Sequence, residues 1–265
     1  MVQPFMVNGT ELDAQEWWDA LFLRYCLDTP DLPHFCYGCN ATFSICHSLD
    51  WNWGGLFTAC HNELCDGFAD LVGKAFTPTH VRNNPLIFAG CAVKRPKANP
   101  DRFKATKSTS ATSPLEDTEN NWDLLLRYFY HNGTDSFHGM RIVKTDATYH
   151  SAKTLEKCLQ EAERVKKNMY LEACLQQRRK FLPFVSSVDE LLGVEATATL
   201  KRIDSDLATK WRQPYSRTYG YVNSRIVITL VWATHRCIRG SRVPAHNISV
   251  QHLQWEDGTK INLFM

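Results

Sequence analysis

The sequence lacks the segments that would send it across or into a membrane. Its opening residues, MVQPFMVNGTELDAQEWWD, hold neither a basic n-region nor an apolar core, so no secretory signal is read there. The longest apolar run, Ile226 to Ala233, is interrupted by Thr229 and is far too short to span a bilayer. Net charge is scarce too. Thirty Lys and Arg against 28 Asp and Glu leave +2, so bulk charge announces no polyanionic partner. There is no internal repeat and no heptad register, which excludes solenoids and long coiled coils. Cysteine, by contrast, is plentiful, with ten in 265 residues. That number suits a secreted disulfide scaffold only in a much shorter chain behind a signal peptide. The expectation is a reduced, intracellular protein whose cysteines are free thiols or metal ligands. The length allows one large domain or two small ones, with enough apolar content for a core.

Along the chain, Thr10-Glu11-Leu12-Asp13 reads as a capping-box-like start, and the apolar spacing from Trp17 onward carries a helix to about Leu27. Two prolines between Asp28 and Pro33 break it. Leu64, Phe68, Leu71, Val72 and Ala75 predict an amphipathic helix over His61 to Ala75, and Val81 to Phe88 a short strand. Residues 92–121 mix Lys, Pro, Ser, Thr and Asn with few apolar anchors and read as a loop insertion. Trp122 to Tyr130 and Ser136 to Val143 follow as strands around a turn at His131-Asn132-Gly133. A charged helix over Ala152 to Lys180, a strand over Phe181 to Ser187, and helices over Val188 to Lys210 and Pro214 to Arg239 complete a mixed α/β (α+β) reading.

Cys36-x2-Cys39 followed by His47 has the spacing of a zinc-knuckle turn. A structural zinc wants four tetrahedral ligands, and the next expected position holds Trp51, which cannot bind the metal. Cys46 or Cys60 could supply the missing thiolate; the alternative is a turn with free, partly buried thiols.

The runs LFLRYCLDTPDLPHFCYGC, SLDWNWGGLFTACHNELCDGFADL, WDLLLRYFYHNGTDSFHGMRI, KKNMYLEACLQQRRKFLPFV and HRCIRGSRVP resemble the C-terminal part of reverse transcriptase-like polyproteins. These are the non-LTR retrotransposons that carry a zinc knuckle followed by a restriction-like endonuclease. The polymerase has no counterpart here. The resemblance implies a PD-(D/E)xK-type core with flanking helices behind an N-terminal knuckle-like segment. It divides the chain into a helical segment at 1–34, a degenerate knuckle at 35–55, a nuclease-like core at 56–187 and a helical region at 188–265.

In such cores two carboxylates hold Mg²⁺ through hard oxygen ligands, the metal activates a water, and a lysine stabilises the developing charge. Carried over by the resemblance, Glu63 is the helix acid, Asp123 the first strand acid, and Lys166, Lys167 and Tyr170 the relocated lysine motif. The second strand acid falls on Gly139, in Gly139-Met140-Arg141, and glycine ligates nothing. Asp135 and Asp146 are the nearest acids that could replace it. The resemblance therefore implies Mg²⁺-dependent DNA cleavage in origin, impaired in this chain, with Cys36, Cys39 and His47 as an incomplete zinc set. It also implies DNA or RNA as partner, with Arg141, Arg178, Arg179 and Lys180 as phosphate contacts, and residence in the nucleus. No membrane and no small-molecule substrate are expected. On pattern alone, Glu63 and Asp123 would be ordinary surface acids and Lys166-Lys167 part of a solvated helix face.

Overall fold

The computed structural model describes residues 9–49, 55–83, 85, 123–130, 134–145 and 153–242. Trp51, the 92–121 insertion, Trp122, the turn at His131 to Gly133 and Asp146 lie outside them. Among the described residues the architecture is mixed α+β, with six α-helices and one four-stranded mixed sheet.

The first helix, α1 (Ala14–Arg24), begins three residues later than the sequence suggests. Its capping box is Asp13 with Glu16: the Glu16 amide donates to Asp13 at 2.7 Å, and the Asp13 amide to Glu16 at 2.9 Å. A tight hairpin follows, closed by Cys36 N–H to the Ala41 carbonyl at 2.8 Å and Phe43 N–H to the His34 carbonyl at 2.9 Å, and leads into the short α2 (Ile45–Leu49). The long α3 (Leu56–Ala75) is amphipathic as its apolar spacing predicts.

The strands are β1 (Val81–Asn83), β2 (Leu124–Tyr130), β3 (Thr134–Val143) and β4 (Lys180–Ser187). They lie in the order β1-β2-β3-β4. The β1–β2 and β2–β3 pairs are antiparallel; β3 and β4 are parallel, joined by the crossover helix α4 (Leu155–Gln176). Pro183 is accommodated because β4 is an edge strand. Helices α5 (Val194–Trp211) and α6 (Tyr215–Arg239) complete the chain of elements.

Helices cover both sheet faces, which is why β2 begins with three consecutive buried leucines. Leu124, Leu126, Met140 and Phe184 pack with Leu64, Phe68 and Leu71 of α3 and with α5 and α6. Leu125, Phe137 and Phe181 turn the other way onto Ala173 and Cys174 of α4. Two contacts lock the helices to one another. Gly67 of α3 lies against Thr229 of α6, where a Cβ would stand 2.6 Å from the threonine hydroxyl. Gly193, the N-cap of α5, has no side chain to cap with, and Glu163 of α4 substitutes by accepting from the Glu195 amide at 3.0 Å.

Candidate functional site

Asp123 stands just before β2, at the sheet end where the α3 layer and α4 come closest to one carboxylate. One oxygen accepts from the Met140 amide of β3 at 2.6 Å and lies 3.5 Å from Lys166 Nζ on α4; the other lies 3.2 Å from His61 Nε2 on α3. His61 Nε2 is also 3.5 Å from the Cys65 thiol, one helical turn on. Burial works against ionisation of Asp123 more strongly than any other single influence. The hydrogen bond from His61, the Lys166 charge and the Met140 amide together outweigh it and hold the carboxyl below its ordinary range. Burial pushes the Cys65 thiol far up, so it stays protonated.

Gly139 borders this site. A Cβ added there would lie 3.5 Å from Lys166 Cδ but only 2.9 Å from the Phe181 ring. The aromatic ring fills the space that a second carboxylate would need. Lys166 also lies over the Tyr170 ring at 5.5 Å, and that ring packs on Phe181 at 5.4 Å. Asp123, Lys166, Tyr170 and the Gly139 position are thus brought together. Arg141, two residues along β3, points to the same sheet face as Gly139 by strand alternation.

Other residues of the implied set go elsewhere. Glu63 turns toward α6 and pairs with Arg236 at 3.0 Å. Lys167 pairs with Glu195 of α5. Asp135 lies near the start of β3, 3.8 Å from Arg179, and cannot stand in for the acid absent at 139, four residues along the strand. His61 was missed as a site residue. Its signal was the His61–Cys65 spacing, which puts both side chains on one face of α3. Mg²⁺ needs near-octahedral oxygen coordination. The described residues around Asp123 do not fit it, because the lone carboxylate is already engaged by a lysine, an imidazole and a backbone amide.

No family model and no curated protein matches this chain.

A second centre lies at the N-terminal hairpin. The ligand atoms of Cys36, Cys39 and His47 all fall within 4.8 Å of one another, and the three residues could hold a zinc ion. Cys39 Sγ and His47 Nε2 are 3.5 Å apart, against about 3.6 Å for a sulfur and a nitrogen on one tetrahedral zinc. His47 is oriented by its own amide, which donates to Ser44 Oγ at 3.0 Å. Cys60 does not complete the set; it is buried with Ala233 and Cys237 between α3 and α6. Cys46 is exposed and stands outside the cluster.

The basic residues of the run HRCIRGSRVP have a clear structural job. Arg239 pairs bidentately with buried Asp19 of α1 at 2.7 and 2.8 Å, and His235 meets the same carboxylate at 2.9 Å. Burial opposes the Asp19 charge, yet the hydrogen bonds from Arg239 and His235 keep its pKa below the ordinary value. Buried Arg242 donates to the Gly240 carbonyl at 3.0 Å and lies over the Phe43 ring at 4.8 Å. These residues clamp α1 and the hairpin to α6. Among the described residues no helix is long and apolar enough to cross a membrane.

Proposed function

We propose that the chain is a nucleic-acid-binding domain with a PD-(D/E)xK-like core, derived from a non-LTR retrotransposon and impaired in phosphodiester cleavage. The observation that carries this reading is Asp123 at the head of a strand, paired with Lys166 of the crossover helix, with Gly139 and the Phe181 ring beside it. An Asp and a Lys so placed, from segments 43 residues apart, match two parts of the nuclease constellation. Among the described residues the second metal-binding acid has no counterpart beside Asp123.

His61 and Lys166 both favour the charged form of Asp123. Removing a metal-bound acid from such a centre costs several kcal/mol of transition-state stabilisation, and each ~1.4 kcal/mol is tenfold in rate. The Cys36, Cys39 and His47 set supports a zinc-knuckle-like module that binds zinc incompletely, with Trp51 in the fourth position. The alternative, a non-catalytic nucleic-acid-binding or structural remnant without metal chemistry, is favoured by the pairing of Glu63 and Lys167 away from Asp123.

The test is direct. Labelled DNA and RNA should bind with a log affinity that falls linearly with log salt. Supercoiled plasmid with Mg²⁺ or Mn²⁺ should stay uncut. Cleavage that survives Asp123→Ala would overturn the site assignment, and absence of binding at low salt would leave the remnant reading.

A further inference from the structure

We infer that the outgoing end of β2 is a stacking surface for single-stranded nucleic acid, centred on Tyr128. The inference rests on the nucleic-acid reading above and assigns that reading a second surface, away from Asp123.

The carrying observation is a tyrosine in a place that suits glycine or asparagine. Tyr128 has φ 56°, in the left-handed region that bulky L-residues rarely adopt. The β2–β3 register slips between Leu126 and Tyr130, so Tyr128 sits at a bulge. The bulge turns Phe129 and Tyr130 to the same side, against the core beneath α5, and throws Tyr128 outward. Its side chain is 58% exposed and meets one described ring, His80, edge-on at 5.7 Å. The fold needs the backbone bend there but gains little from the ring.

Cations flank it. Arg127 and Lys180 are exposed. Lys180 Nζ lies 4.6 Å from the Tyr130 ring centre, and Arg202 of α5 approaches the same ring at 5.0 Å while lying 3.8 Å from Asp206. An exposed aromatic ring at a sheet end that also carries exposed cations fits a strand of phosphates whose bases are unstacked. A duplex offers phosphates but hides its base faces, and an apolar protein partner would meet exposed Arg and Lys without charge complement. Lys180 is level with Ser136 and Pro183 with Gly139, so this surface begins roughly 10 Å along the sheet from the Asp123 site.

The experiment uses the full chain and fluorescence anisotropy with labelled oligothymidylate, oligouridylate and a mixed-sequence duplex. Tyr128→Gly relieves the left-handed strain and deletes the ring. It should weaken binding of either single strand by about five-fold or more, with the melting temperature unchanged or raised. Lys180→Gln should reduce the single-strand salt slope by about 0.7. Tighter binding of one oligonucleotide than the other identifies RNA or DNA, and either supports the surface. Single-strand affinity that is untouched by Tyr128→Gly, or lost only in step with melting temperature, overturns it. If the duplex binds and neither single strand does, the surface falls while the nucleic-acid reading stands. If none of the three binds, both fall.

Discussion

Gly139 is one atom short of a side chain, and the neighbouring ring has taken up the space. That makes a repair of the site a question of sterics as well as charge. Gly139→Asp would put a carboxylate beside Lys166 and Asp123, but its Cβ would sit 2.9 Å from Phe181. The single variant is expected to be destabilised by about 1–3 kcal/mol through overpacking. Adding Phe181→Leu should recover stability and yield Mg²⁺-dependent plasmid nicking, which a further Asp123→Ala removes. If the double variant is stable and never nicks, the second-acid assignment is wrong. The cluster of Cys36, Cys39 and His47 poses a similar single-residue test. With three ligands, purified protein should hold less than one zinc, and Trp51→Cys should raise it to about one per chain. Equal metal content in the two proteins would sink that assignment.

At the scale of elements, the most extensive helix contact among the described residues is the one between α3 and α6. Alanine normally outperforms glycine inside a helix by about 1 kcal/mol. At Gly67 the order should reverse, because the new methyl would meet Thr229 at 2.6 Å. Gly67→Ala is expected to cost about 1–3 kcal/mol in urea unfolding, and Thr229→Ala should restore part of it. A stabilising Gly67→Ala would show that α3 and α6 can part without penalty. The existence and type of most described elements were legible because runs such as Leu124 to Leu126 and the Leu64, Phe68, Leu71 stripe have strong periods. Boundaries were less so. The expected helix from Val188 starts at Val194, since Val188, Leu191 and Leu192 mimic helical spacing while packing in a turn with Glu190 at φ 68°. The cap fell on Asp13 rather than Thr10 because Asp13 and Glu16 repeat the same three-residue spacing. At the site, Asp123 and Lys166 were legible only through motif likeness. Glu63 shows why spacing on a helix is not enough: its neighbour His61 faces the sheet and Glu63 faces Arg236.

The whole molecule carries two buried groups with opposite pH behaviour. His138, enclosed by Phe68 and Phe129 with rings 5.5 Å away, is pushed by burial down to about 3. The unfolded chain takes up that proton as pH falls below about 6.5, so His138 makes the fold less stable toward acid. Asp204 of α5 has no described hydrogen-bond partner for either carboxylate oxygen, and burial raises it to about 6. The folded chain therefore holds a proton there that the unfolded chain releases, and stability rises as pH falls from 6 toward 4. The two slopes offset. Asp204→Asn should add about 1–3 kcal/mol at pH 8. Between pH 6 and 4 it should also lose stability more steeply than the parent, by about 1.4 kcal/mol per pH unit. Denaturant titrations at pH 8, 6 and 4.5 check both, and parallel curves would refute the assignment of a raised pKa to Asp204.

The clamp formed by Asp19, Arg239 and Arg242 has a consequence for how the molecule breathes. Because α6 grips α1, the hairpin and α3 at once, the hairpin amides of Cys36 and Phe43 cannot swing free while the end of α6 is in place. Hydrogen–deuterium exchange should therefore find these amides opening together with the last turn of α6, at one shared rate.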